Sequence, residues 1–317
     1  DSAAFRVDGR RFMFDRLGSN TQLYGAADRE ADITKLAGPL NVPLPITRRM
    51  LRQNLAQLYG AGLSLTIQRG DHLLSLDEVE ACDLSDTGAN SWAHSNQTKV
   101  AIDPKLGRIA FPNNVTEQVL VSYYYGALSD IGGGEYDRQQ RLEKPPSSVR
   151  SVPHDRPDVL QALADLNEGP GMVEITGNGQ YAGLTELVVP ANGILQLRAA
   201  NESWPMLRLA VDLVISGGDS AEMILEGLLI AGGRVMVPAI VNGQANHLQK
   251  LRLGDCTLGP GGELTPEGQP GPAATSLEIE APNVTVEIER CILGGLRVSD
   301  ESRASISNSI VDGLQPD

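Results

Sequence analysis

The chain has 317 residues, 41% of them hydrophobic and only 4% aromatic, with 34 Gly and 19 Pro. That length accommodates two domains, and the turn-rich, aromatic-poor mix suits β structure filled by Val, Ile and Leu. A net charge of −14 repels phosphate backbones and argues against nucleic-acid binding. Three cysteines, Cys82, Cys256 and Cys291, are too few and too scattered for a disulfide scaffold.

Residues 1–138 read as a small mixed α+β domain. A turn at Asp8-Gly9 between short apolar stretches predicts a hairpin over 5–14. Residues 46–59 predict a helix with Thr47 as N-cap, Met50, Leu51, Leu55 and Leu58 near one face, and Gly60 as its stop. Strands are expected at 63–68, 78–84, 100–102, 108–111 and 118–125, with Asp103-Pro-Lys-Leu-Gly107 as a tight connection. Residues 139–156 are polar, Pro-rich and without periodicity, which predicts an exposed linker.

Residues 157–317 read as a right-handed parallel β-helix. A short helix is expected from Pro157, capped by Asp155, with Leu160, Leu163 and Leu166 as its apolar face. Followed by a Gly turn and a strand at 172–175, it would close the N-terminal end of the solenoid. Further strands are expected at 186–189, 194–199, 207–209, 212–215, 234–237, 248–253, 276–280 and 285–288, and 259–274 reads as a projecting Gly/Pro-rich loop.

Four segments share one pattern: Leu225-Glu-Gly-Leu-Leu-Ile230, Leu253-Gly-Asp-Cys-Thr-Leu258, Ile288-Glu-Arg-Cys-Ile-Leu293 and Ile306-Ser-Asn-Ser-Ile-Val311. A short strand recurring once per turn of chain is the mark of a solenoid, because one strand alone cannot bury its apolar side and stacked ones can. The apolar positions should point inward: Leu225, Leu228, Ile230, Leu253, Leu258, Ile288, Leu293, Ile306 and either Ile310 or Val311. Cys256 and Cys291 share one slot and should stack as buried thiols.

The chemistry-bearing residues are scattered. His72, His94, His154 and His247 fall in separate turns with no ligand spacing, so no metal or cofactor is expected. Glu278, Glu280, Glu287 and Glu289 alternate along two strands near Arg290 and Arg297. They are the carboxylates a polysaccharide-cutting enzyme would use, and they also read as the solvated face of a strand. Gly132-Gly-Gly-Glu-Tyr-Asp-Arg138 lacks the Lys-Ser/Thr of a P-loop and reads as a bend that Tyr136 and Arg138 lock onto the first domain. There is no Gly-x-Ser-x-Gly, and Cys82 has no His in its own element, so a nucleophilic enzyme is not supported. No apolar run approaches the ~18 residues of a membrane span, and no signal peptide opens the sequence. The start at Asp1 and the end just after a repeat suggest a processed product or part of a longer protein.

Three stretches carry a family resemblance: Asn41-Val-Pro-Leu-Pro-Ile46, Ala101-Ile-Asp-Pro-Lys-Leu-Gly-Arg-Ile-Ala-Phe-Pro112, and Tyr123-Tyr-Tyr-Gly-Ala with Asp130-Ile-Gly-Gly-Gly-Glu-Tyr-Asp-Arg138. They resemble segments of bacterial phage-tail-like proteins, in which a small domain precedes a right-handed β-helix similar to the pectate-lyase superfold. The resemblance implies a structural or receptor-binding part of a tail or contractile injection particle, with other tail or baseplate-like proteins as partners and homo-oligomerisation open. Such a protein is assembled in the cytoplasm and ends in an extracellular or virion-like particle. The superfold does not carry lyase activity with it. The alternative is an enzyme acting on a cell-surface glycan. Against it stand the paucity of aromatic platforms, with Trp92 and Trp204 the only tryptophans. A third reading is a passive binding module with its contacts in 259–274.

Overall fold

The computed structural model describes residues 1–27, 38–88, 91–94, 98–126, 129–166, 170–259 and 275–312. The chain is mainly β, 43% strand against 6% helix, and divides into two compact units, residues 1–128 and a second unit that begins at Ser129.

The first unit is built on two sheets. One carries Val119–Tyr125 between Ser2–Ala3 and Leu65–Arg69, with Leu23–Tyr24 on its end. The other runs Phe5–Arg6, Arg11–Met13, Arg108–Ala110, Val100–Asp103 and Val79–Ala81. The expected hairpin at Asp8-Gly9 forms, with Phe5 opposite Met13, and so does the connection at 103–107. Phe12, Phe111, Ile102 and Ile109 from one sheet and Leu65, Ile67 and Val121 from the other share one buried cluster with Leu51 and Leu58. The helix is capped by Thr47 as expected, its hydroxyl accepting Met50 N at 3.1 Å. It is two short pieces, Arg48–Gln53 and Leu55–Leu58. Asn54 ends the first by turning its side-chain amide back to the Met50 carbonyl, the competition with backbone that makes Asn a poor mid-helix residue.

The second unit consists of three parallel sheets of seven, six and five strands. The chain visits them cyclically. Gly171–Ile175, Gln180–Ala182 and Glu186–Val189 lie one in each sheet, and each pairs in parallel with the strand three further along, Ile194–Ala199, Met206–Arg208 and Leu213–Gly217. The pattern continues to Ile310–Val311. In-register partners in the seven-stranded sheet are Leu195, Met223, Leu251, Val286 and Ala304, so successive turns of chain take 28, 28, 35 and 18 residues. The expected 18-residue spacing is the pair Ile288–Ile306. One turn accommodates its extra length in a hairpin, Ile240–Val241 with Gln244–Ala245, whose two-residue loop Asn242-Gly243 has both φ angles positive, as a hairpin loop of that length requires.

The third position of each repeated segment is the corner between the seven- and six-stranded sheets. Gly227, Asp255, Arg290 and Asn308 all have φ between +49° and +71°, so a single left-handed residue redirects the chain. Such a φ is uncommon for a bulky residue. Here it is over-determined by corner-to-corner bonds: Gly227 N donates to Gly254 O at 2.9 Å, Asp255 N to Glu289 O at 3.0 Å and Arg290 N to Ser307 O at 3.1 Å. The fourth position then turns inward, where Leu228, Cys256 and Cys291 are buried. The two cysteines are free and stacked, with Cys256 N donating to Cys291 Sγ at 3.4 Å, and burial pushes the Cys256 thiol well up.

Several expectations are corrected. Ile306, Ile310 and Val311 are 40–52% exposed, because among the described residues their turn has a neighbour on one side only. The stretch expected as linker contains Val149–Val152, a full member of the seven-stranded sheet with Val152 in the core. The short helix, Val159–Ala164, therefore follows a parallel strand instead of preceding all of them. Its N-cap is Asp158, accepting Gln161 N at 2.8 Å. Asp155 turns back to accept Ser151 N. The buried face is Val159, Ala162 and Leu166, while Leu160 is exposed. Several strands are also shorter than expected, such as Val79–Ala81 for 78–84. Among the described residues no helix is long and apolar enough to cross a membrane.

Candidate functional site

The four candidate carboxylates do not form one set. Glu278 lies on a strand of the five-stranded sheet and Glu280 just past its end, whereas Glu287 and Glu289 lie on the seven-stranded sheet. Glu278 is buried between Arg234 and Arg297, both at 2.8 Å. Glu287 takes Lys250 at 2.9 Å and Arg252 at 3.5 Å, and Glu289 is paired with Arg290. Among the described residues Glu280 alone of the four has no ion pair, and it is exposed beyond its strand. Glu280, Glu287 and Glu289 reach solvent, whereas Glu278 is 3% exposed and does not fit the expected solvated face. Arg297 and Arg290, expected near the set, are instead the cations that hold two of its members.

The larger charge cluster went unread in the sequence. It lies on the outward side of the seven-stranded sheet, under residues 129–148. In one in-register column stand Glu174, Arg198 and Glu226, and in the next Gln196, Ile224, Arg252 and Glu287. Arg198 Nη2 meets Glu174 at 2.7 Å and its Nη1 donates to the Glu143 carbonyl at 2.9 Å. Arg252 reaches the Glu143 carboxylate at 2.6 Å. Asp255, fully buried at its corner, accepts Arg290 Nε at 3.0 Å, with the Tyr136 hydroxyl also at 3.0 Å. Cross-strand charge pairs of this kind fix register more than they stabilise, at about 0–1 kcal/mol each where exposed.

Tyr136 and Arg138 do lock a bend, but onto the second unit. Gly132 N donates to Arg290 O at 2.7 Å and Gly133 N to Thr257 Oγ1 at 3.0 Å. The Arg138 side chain is completely buried, donating from Nη2 to Ala200 O at 2.9 Å and Ser203 O at 2.8 Å. Its guanidinium occupies the space a Cβ at Gly227 would need, with Nη2 2.9 Å from that position. Gly227 is thus required both by its φ and by Arg138.

Glu226 is the carboxyl with the clearest perturbation here. It is 8% exposed, accepts Gln196 Nε2 at 3.1 Å, and burial raises its pKa above the ordinary 4.5, with Asp255 and Glu143 adding to the rise. At neutral pH its charge therefore costs stability, and the cost disappears as pH falls through the raised value. Glu226→Gln, which keeps the acceptor oxygen, is expected to melt higher than the parent at pH 7. The difference should shrink on acidification and vanish below pH 4.5. Melts showing the same difference at both pH values would remove the assignment. A raised carboxyl is a general-acid signature, but this one is buried on its strand and already hydrogen-bonded to Gln196.

The histidines each meet at most one carboxylate: His72 with Glu78 at 2.9 Å, His154 with Asp155 at 2.9 Å and His247 with Asp219 at 3.1 Å. His94 sits at a left-handed turn. Cys82 is pushed up to about 12, chiefly by burial, and its thiol donates to Glu80, which leaves no thiolate at neutral pH. The contacts expected in 259–274 lie, apart from Gly259, outside the described residues. One recess does open on the first unit. It encloses about 440 Å³ and is lined by Asp8 to Arg11, Ser91, Trp92, Ala110, Phe111 and Asn114.

Comparison with protein-family models, with curated proteins and with solved structures finds no match to this chain.

Proposed function

We propose that the second unit is a right-handed parallel β-helix acting as a rigid, non-catalytic shaft. The chain would be a structural or receptor-binding component of a phage-tail-like or contractile injection particle. The observation that carries the shaft is the cyclic parallel register, in which every turn of chain hydrogen-bonds to the next through three sheets. Paired outward charges support the non-catalytic part of the reading, since Glu278, Glu287 and Glu289 are each neutralised by arginine or lysine. The tail assignment rests on the resemblance of the segments at 41–46, 101–112 and 123–138.

Particles purified from the producing cells and labelled with gold-tagged antibody to this chain should show label on the tail. Chain found only outside particles would sink the tail assignment. The enzyme alternative is tested separately, on a panel of acidic and neutral polysaccharides. No new reducing ends or unsaturated products are expected. Cleavage lost in Glu278→Gln, Glu280→Gln, Glu287→Gln or Glu289→Gln would replace the shaft reading with the enzyme.

A further inference from the structure

The recess on the first unit has the make-up of a ligand site, and its volume of about 440 Å³ falls within the range of small-molecule pockets. Its floor is fixed. The Asp8 carboxylate caps the hairpin turn, Oδ1 accepting Arg10 N and Arg11 N at 2.8 Å and Oδ2 accepting Arg11 Nε at 2.6 Å. Arg10 Nε is tied to the Phe111 carbonyl at 3.0 Å. The Trp92 ring is held by two guanidinium groups, Arg11 at 5.2 Å and Arg108 at 4.8 Å from its centroid. Arg108 is itself clamped by Asp86, at 2.8 and 3.0 Å.

The donor and acceptor balance is lopsided. Asp8 is the one carboxylate in the lining; both its oxygens are engaged, and its charge is offset by Arg11. Arg10 Nη1 and Nη2, the Trp92 indole N–H and the Asn114 amide have no hydrogen-bond partner among the described residues. The Ser91 hydroxyl is shared with Thr87 at 2.9 Å. What the recess offers is one uncompensated, pre-aimed guanidinium fork, further N–H donors and apolar wall from Ala110 and Trp92. It lies on a chain of net charge −14, where an uncompensated cation is against the trend. A guanidinium fork matches a carboxylate bidentately. The space exceeds what a small ion fills, and the remaining donors suit hydroxyl oxygens.

We propose that this recess binds a carboxylated sugar, a uronic acid residue, with its carboxylate on Arg10 and its hydroxyl oxygens on Asn114, Ser91 and Trp92. The assignment concerns the first unit alone and does not depend on the shaft reading.

Saturation-transfer difference NMR on the intact chain tests it, with methyl β-D-glucuronide as probe and methyl β-D-glucoside as the neutral match. The glucuronide should give saturable ring-proton signals, and the glucoside should bind about tenfold more weakly, the loss expected for one charge-assisted pair. Arg10→Gln, a half-exposed position, should keep the parent melting temperature and lose the glucuronide signal. Trp92→Phe, which keeps a ring over Ala110, should weaken it. No glucuronide signal overturns the proposal. So does equal binding of the two glycosides, or an unchanged signal in Arg10→Gln. If sodium sulfate and the glucuronide compete with equal strength, the recess is a bare anion site and the sugar is withdrawn.

Discussion

Ile288→Asp should unfold the second unit at temperatures where the parent is intact, while Ile306→Asp should leave it nearly untouched. The two isoleucines are in-register neighbours in one column of the seven-stranded sheet. Ile288 is 1% exposed, packed into the continuous core with Leu253 below it, whereas Ile306 is 45% exposed. An aspartate at Ile288 places a charge among Leu, Ile, Val and Cys side chains with no cation to meet it. Burying an unpaired charge or forcing it neutral costs more than about 4 kcal/mol. At Ile306 the carboxylate reaches water, and the loss should be within about 1 kcal/mol. Denaturant titrations of both variants check the pair. Similar losses at the two sites would mean that the inward register is wrong.

Asp103→Ala is the second large effect, this time in the first unit. The Asp103 carboxylate is fully buried. It accepts Arg48 Nε at 3.0 Å and Arg48 Nη2 at 2.7 Å, together with Leu84 N at 2.9 Å, Lys105 N at 3.0 Å and Leu106 N at 3.3 Å. One side chain thus ties together the helix start, the segment after Val79–Ala81 and the turn at 103–107. Hydrogen bonding to Asp103 also holds the Arg48 guanidinium above its ordinary pKa. Removing the carboxylate leaves three backbone N–H groups without their acceptor and Arg48 with only Asp83, at 3.0 Å, and the Ser85 hydroxyl. Each backbone donor left unsatisfied costs up to about 1–3 kcal/mol. Asp103→Asn retains an oxygen and should lose less. If the alanine variant melts like the parent, Asp103 is not the hub described.

What the sequence made legible was local. The four repeated segments could be seen because apolar residues recur at the same offsets around a corner. That periodicity follows from strands whose neighbours in space are one turn of chain away. The Thr47 cap and the turns at Asp8-Gly9 and 103–107 were legible because their chemistry is complete within four or five residues. Val149–Val152 was not, since four residues among prolines carry no period, and only pairing with Gly171–Ile175 makes them a strand. The charge clusters failed for the same reason. Asp103 and Arg48 are 55 residues apart, and Tyr136 and Asp255 are 119 apart. Glu226 reads as one more polar residue on a strand until residues 129–148 are laid over it. The alternating glutamates at 278–289 misled in the opposite direction: a run compact in sequence is divided between two sheets by the turn at 280–284.

The unequal lengths of successive turns have a consequence for how this chain can change. After Ala221–Glu226, Leu248–Gly254, Thr285–Glu289 and Arg303–Ser307 the corner is a single left-handed residue; at Gly227, Asp255 and Arg290 it is hydrogen-bonded to the next turn, and at Gly227 it is closed by Arg138. It has no slack. Beyond residues 200–205, which join Ile194–Ala199 to Met206–Arg208, extra length enters at two junctions: the Asn242-Gly243 hairpin between Val235–Val237 and Leu248–Gly254, and residues 260–274 between Thr257–Leu258 and Thr275–Ile279. New sequence can therefore enter at those two seams without altering which residues stack, because loop closure grows only slowly more costly with length. Lineages can diversify there, and a foreign peptide grafted between Asn242 and Gly243 would be displayed beside exposed Ile240, Gln244 and Ala245 while the strands behind it keep their partners.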